Sequence, residues 1–514
     1  MLSQQRPSHS TGSILKTSLT VIRPLYRHLD TMLVTLPNEI LHTIFNSFAT
    51  SPKLIHADDD DNNYYYHLDN WTTLAHLCRV SRRIRYIAEP LLYRNYSKRS
   101  TIWHPHEHSL RIFLTTLFER PELLQHVRSL YIGAWSQQCL TCLTLKKKKK
   151  MPCSSGLYSI YSEHVRSSAL DDGWREALKA GEEAAEIALL MSLTPNLEHI
   201  EFHMSDMRSP EIYIPQYFWP GLLVASAGWD PACHFRRLRS VMVHRRHLGF
   251  DYREKEWYGY NYSVGSYFVF EIDPFLTFVG LPSLRVLQIE NKNWTPWRSR
   301  PEVYPLNDEE SHLSDLTLDF SVVNPMKIIQ ILERCTKLEA LHLEQHSTIL
   351  AGCPEYTWKT IREALNNSRG TLQELTLDAK VFFRKSDSIG SLTGFASLRK
   401  LVISQSAFLK FKPSEEYTTL GVSPPLEEIL PCSLESLTIK DCFGNLVPYL
   451  EDLSIKLEDK FPHLREIRLI DATDDRSEVS EDSDDDLEIL AKSPHRMDCL
   501  KEAFSTAGVR YLQA

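Results

Sequence analysis

The chain has 514 residues, of which 42% are hydrophobic and 24% charged, and a formal net charge of -8 at pH 7. That length is several times what one small core needs, so two or three domains or one long repeat array is expected. The acidic balance excludes nucleic-acid binding by bulk attraction to phosphates, which wants a basic face, and no apolar run approaches a membrane span. Ten cysteines without a repeating spacing, and no cleavable apolar signal segment, point to reduced thiols in the cytosol or nucleus.

Residues 1–31 carry Arg6, Lys16, Arg23 and Arg27, many Ser and Thr, and no acid before Asp30. This composition suits a disordered N-terminal extension or a mitochondrial transit peptide. Met32 is an alternative start.

The stretch TLPNEILHTIFNSF at 35–48 reads as one amphipathic helix. Pro37 fits the first turn, where its missing N–H is not needed, and Glu39 favours the positive helix start. Ile40, Leu41, Ile44, Phe45 and Phe48 make one apolar stripe, with Asn38, Glu39, His42, Thr43, Asn46 and Ser47 turned away. Further on, Leu74, Leu77, Cys78, Ser81, Ile84, Ile87 and Ala88 share a helical face before Glu89-Pro90-Leu91-Leu92-Tyr93 stops it. By periodicity alone this is a helical hairpin, which also suits an ordinary N-terminal cap on a larger domain.

The residues Leu36-Pro37-x-Glu39-Ile40-Leu41-x-x-Ile44-Phe45, Leu74-x-x-Leu77-x-x-Val80-Ser81-Arg82 and Ala88-Glu89-Pro90-Leu91-Leu92-Tyr93 closely resemble the F-box, especially its fungal form, over 33–97. The resemblance implies a three-helix module at 32–100 that docks on the Skp-type adaptor of a cullin-RING ubiquitin ligase. It implies adaptor binding by Leu36, Pro37, Ile40, Leu41, Ile44, Phe45, Leu74, Leu77, Val80 and Leu91. Two departures stand out. An Asp- and Tyr-rich insertion at 49–70 replaces a short connection carrying a second helix, and Ile84 stands where a tryptophan is common.

Beyond the module, 110–118 is apolar at helical spacing and leads through Arg120-Pro121-Glu122-Leu123 to the strand pattern Val127-x-x-Leu130-x-Ile132. The pattern recurs with first residues Leu197, Leu238, Leu284, Leu313, Leu338, Leu372, Leu398, Leu434 and Leu464. Many copies follow an apolar helical stretch, so each unit is helix, turn and strand, and only stacking buries its face. This resembles a leucine-rich repeat solenoid over 108–514, with parallel strands on one face and helices on the other. From Leu197 onward copies lie 25 to 46 residues apart, against roughly 20–29 in regular arrays. The Asn or Cys expected three positions after the last apolar strand residue occurs only at Cys442. Insertions are expected near 136–185, 204–236, 245–272 and 405–432, where recognition usually sits. In the third, Trp257, Tyr258, Tyr260 and Tyr262 are candidate partner-binding residues, or the packing of an extra hairpin.

Other constellations carry less. Cys139-x-x-Cys142 with Cys153 and His164 has the elements of a zinc site but lacks a second CxxC pair, and His104, His106 and His108 lack the HExxH order. Lys146 to Lys150 reads as a solvated loop or a nuclear import signal. Eight of the thirteen residues at 474–486 are carboxylates, which is too self-repelling for a packed element and marks an acidic loop in which Ser480 and Ser483 suit an acidophilic kinase. No Walker A sequence, GxSxG elbow or GxGxxG turn is present.

The expectation is an α/β chain: a helical F-box followed by an irregular repeat solenoid, acting without cofactor, metal or catalysis of its own. It would be the substrate receptor of an SCF ubiquitin ligase in cytoplasm or nucleus, with a protein target and with no nucleic acid or membrane as partner. The alternative is a repeat scaffold that engages no ligase.

Overall fold

In a computed structural model of the chain, the residues described are 35–49, 66–98, 109–132, 172–180, 183–205, 235–246, 277–291, 310–319, 325–345, 357–379, 388–408, 424–442, 446–471 and 494–513. They form an α/β fold whose twelve described strands lie in one sheet in chain order. Two compact units divide the chain, Met1–Tyr96 with Arg120–Leu130, and Ser97–Glu119 with Tyr131–Ala514.

The first unit holds helices α1 (Asn38–Phe48), α2 (Tyr66–Val80) and α3 (Arg82–Leu92). They close on a core of Leu41, Phe45, Ala49, Leu74, Cys78, Ile84, Ile87, Ala88 and Leu91, edged by Leu36, Phe48, Leu77 and Leu92. The single helix expected over 74–88 is two. Ser81 is extended, and its hydroxyl accepts the Ile84 N–H at 3.2 Å, so it stops α2 and caps α3 in one step. The stop expected over Glu89–Tyr93 falls at its far end, with α3 running to Leu92 and Tyr93 as its C-cap. Pro90 lies inside α3, and the Tyr93 N–H still reaches the Glu89 carbonyl at 3.1 Å. The ring removes only the N–H that would bond the Tyr86 carbonyl, on a residue that is 80% exposed. Helix α2 begins at Tyr66, inside the insertion expected over 49–70.

The repeats make the second unit. Helix α4 (Ser109–Glu119) lies there, and strand β1 (Asn95–Lys98) and strand β2 (Ser129–Ile132) each cross a unit boundary. Helices α5 (Asp172–Ala180) and α6 (Glu183–Leu193) precede β3 (His199–Ser205), β4 (Ser240–Arg246), β5 (Val286–Asn291) and β6 (Asp315–Asp319). Helix α7 (Pro325–Arg334) leads to β7 (Ala340–Gln345), and α8 (Trp358–Ala364) to β8 (Glu374–Ala379) and β9 (Lys400–Ser404). After β10 (Ser436–Cys442) come α9 (Val447–Ile455), β11 (Glu466–Asp471), α10 (Pro494–Thr506) and β12 (Arg510–Gln513).

Every pairing from β3 to β12 is parallel, and the register stacks each motif position on its counterpart. Ile200, Val241, Leu287, Leu316, Leu341, Leu375, Leu401, Leu437 and Ile467 form one continuous inward row, and all are fully buried. Phe202, Val243, Ile289, Leu318, Leu343, Leu377, Ile403, Ile439 and Leu469 form the second row. The sequence pattern missed β12. Its register puts Gly508, at φ +75°, where the other repeats have the leading leucine, and Gln513 opposite Leu469.

Repeats are joined by one recurring rung. From Leu197 to Leu434 the carbonyl of the residue after each leading leucine accepts two successive N–H groups of the next repeat, and after Leu464 the Arg465 carbonyl accepts one, from Arg510. Glu198 O takes Arg239 and Ser240, Arg239 O takes Arg285 and Val286, and Gln373 O takes Arg399 and Lys400, at 2.8 to 3.2 Å. Hydroxyls placed just before the leading leucines reinforce it. Ser283 donates to the Phe235 carbonyl at 2.7 Å, Thr371 to Leu338 at 2.8 Å and Ser433 to Leu398 at 2.8 Å. Cys442 follows a break in register after Ile439, with Asp441 at φ 54°, and its thiol donates to the Ile439 carbonyl at 3.1 Å.

The insertion expected over 136–185 ends in packed structure. Trp174 of α5 is 2% exposed, and its indole N–H donates to the Ala185 carbonyl at 3.1 Å. Next to it, Glu186 of α6 pairs with Arg111 of α4 at 2.8 Å, both side chains nearly sealed from water.

Leu375→Ala is expected to cost about 2–5 kcal/mol by lost burial and a residual cavity. Hydrogen exchange should show β7 and β9 loosened before remote strands, and uniform loss from β3 to β12 would contradict nearest-neighbour stacking. For the buried pair, Glu186→Ala leaves a charge unmatched and should cost about 3–5 kcal/mol, whereas an Arg111→Met, Glu186→Leu double change should cost much less. Denaturant titration of the three proteins checks this.

Candidate docking face

Helix α1 presents the candidate face. Its apolar residues divide into two pairs about 100° apart around the helix. Leu41 and Phe45 are 0% and 1% exposed, whereas Ile40 and Ile44 are 47% and 38% exposed. The core takes one pair and leaves the other to solvent. Pro37 is exposed as well, and Val80, at the end of α2, is 37% exposed.

The residues expected to bind an adaptor therefore separate. Leu41, Phe45, Leu74 and Leu91 are core, and Leu36 and Leu77 pack at its edge. Those six hold the unit together and support any contact from behind. Pro37, Ile40, Ile44 and Val80 are the four left open to solvent. Periodicity does not distinguish the two roles, because a stripe that serves both a core and an interface looks like one wide stripe. Trp257, Tyr258, Tyr260 and Tyr262 lie outside the described residues, as do Cys139, Cys142, Cys153, His164, Lys146 to Lys150 and 474–486.

On the other flank of α1 is a cleft of about 930 Å³ between α1, α3 and the 3-10 turn Pro121–His126. Ile87, Pro90 and Leu123 give it an apolar floor, and Glu39, His42, Tyr86, Gln125 and His126 add polar lining. One wall is an ion pair the sequence did not announce. Arg120 donates to both carboxylate oxygens of Glu89, at 2.6 and 2.9 Å, and to Glu122 at 2.9 Å. Those hydrogen bonds hold the Glu89 carboxyl below its ordinary pKa and push the Arg120 guanidinium further up. Burial, helped by the Arg128 charge, lowers His126, so its ring is neutral near pH 7. Burial also raises the Cys78 thiol, which suits packing and not reactivity.

Among the described residues, no three His, Cys, Asp or Glu side chains are placed to hold a metal ion, and no helix is long and apolar enough to cross a membrane.

Because the folded-state pKa of Glu89 is depressed, its pairing with Arg120 contributes stability above the unfolded carboxylate pKa, about 4.3. That contribution is lost as pH falls through the lower folded value. Glu89→Gln should thus be less stable than the unaltered protein at pH 7, with a narrower gap at pH 3. Urea unfolding at both pH values checks this, and an equal gap at both would contradict it.

No protein-family description matches the chain, and no curated protein matches it either.

Proposed function

We propose that the chain is the substrate-recognition subunit of an SCF-type ubiquitin ligase, its first unit an F-box that docks a Skp-type adaptor and its second a degenerate leucine-rich repeat array that holds a protein target. The observation that carries the reading is the pair Ile40 and Ile44, solvent-exposed on a helix whose other apolar pair is already spent on a core. An exposed apolar pair on a small helical unit costs solubility unless something covers it, and the residues around it are those of the Leu-Pro-x-Glu-Ile-Leu motif.

On this reading the chain works by geometry. The adaptor side is fixed by α1, and the target is held on the array. A RING-bound conjugating enzyme transfers ubiquitin, and this chain's contribution is to raise the effective concentration of the target's lysines. It takes no cofactor, adds no catalytic side chain and works in the cytoplasm or nucleus.

Ile40→Asp and Ile44→Asp test the reading cleanly because both positions are exposed, so the variants fold. The full chain should co-purify with a Skp-type adaptor. Either carboxylate, buried unpaired at the interface, should cost about 3–5 kcal/mol and reduce occupancy several hundredfold. Undiminished binding by folded Ile40→Asp would exclude this face, and no binding by the unaltered chain would favour a scaffold that engages no ligase.

A further inference from the structure

Helix α1 carries two apolar pairs of similar hydrophobicity, Ile40 with Ile44 and Leu41 with Phe45, and a turn of about 100° about its axis would exchange them. Apolar burial is non-directional and by itself only weakly decides which pair goes inside. Hydrogen bonds are directional, and α1 is held by them at both ends. Pro37, at its start, has no capping side chain. In its place Arg83, from the first turn of α3, donates to the Asn38 side-chain oxygen at 2.8 Å and to the Leu36 carbonyl. At the other end Arg94 donates to the Asn46 side-chain oxygen at 3.0 Å, and Asn95, 6% exposed, donates to the Ala49 carbonyl at 2.9 Å.

Arg94 is itself anchored. Its carbonyl accepts the N–H groups of Arg128 and Ser129, at 2.8 and 3.2 Å, in the same two-donor rung that joins the repeats. The end of α1 is thereby fixed to backbone that cannot rotate with it.

We propose that Arg83, Arg94 and Asn95 are positioning residues of the docking helix, a clamp at its two ends that sets its rotation so that Ile40 and Ile44 face outward. The proposal rests on the adaptor-docking reading of that face. None of the three needs to touch the partner, since each acts through the orientation of α1. Arg83 suits the task because a planar guanidinium spans two acceptors at fixed angles, which a lysine ammonium does not.

The test uses the full chain and purified Skp-type adaptor. Arg83→Gln with Arg94→Gln should weaken adaptor binding about tenfold while the thermal midpoint changes little, because Arg83 is exposed and Arg94 only half-buried. Hydrogen exchange at the α1 amides should quicken in that variant and not in α2. In an Asn38→Ala background, Arg83→Gln should lose much of its effect on affinity, as two partners in one contact do. Wild-type affinity and unchanged α1 protection in the double variant would overturn the clamp. If the unaltered chain does not bind the adaptor at all, the docking reading fails, and α1 protection alone then decides the clamp: faster exchange in the variant upholds it, and equal exchange overturns it.

Discussion

The repeat unit depends on one small arrangement, the carbonyl after the leading leucine, which from Leu197 to Leu434 accepts two consecutive N–H groups from the repeat that follows. It fixes register. Once Glu339 O holds Gln373 and Glu374, Leu375 must stand on Leu341 and Leu377 on Leu343. A slip of one residue would turn both leucines to the opposite face. Regular arrays tie the turn after the strand with a side-chain ladder. Here the tie lies before the strand, in backbone, with Ser283, Thr371, Ser397 and Ser433 adding hydroxyl bonds to the preceding repeat. Backbone does not vary with sequence, which is why repeats as unlike as Arg237-Leu238-Arg239 and Thr371-Leu372-Gln373 stack alike.

In the first unit the limiting constraint is size. Three short helices provide a core of nine buried residues, and a core that small cannot take every apolar side chain on α1. Leucine and phenylalanine go inside, while the β-branched pair Ile40 and Ile44 stays outside. The bidentate Glu89 and Arg120 contact binds the 3-10 turn to α3 through hydrogen bonds where apolar area is scarce.

How much of this the sequence discloses follows from what kind of signal each feature leaves. The strands from β3 to β11 are legible because two side chains per strand point at a common core and must be apolar. The missed β12 carries Gly508, Tyr511 and Gln513 at the three diagnostic positions, and as the last strand of the sheet it packs its counterpart rows from one side only. The break at Ser81 was hidden because Ser81 continues the helical spacing while its hydroxyl ends the helix. Helix α5 was hidden because Trp174, Ala177 and Leu178 are its buried residues, too few for a period to stand out. Of the candidate face, the residues were legible and their division was not, since inward and outward apolar pairs differ only in the angle at which α1 is held.

The irregular spacing of the repeats follows from the same energetics. Extending the spacing between repeats from 25 to 46 residues nearly doubles the loop to be closed, which costs only about 0.6 kcal/mol. One inward leucine is worth several times that. A connection can therefore lengthen without threatening the array so long as the leucines and the rung at its end are intact.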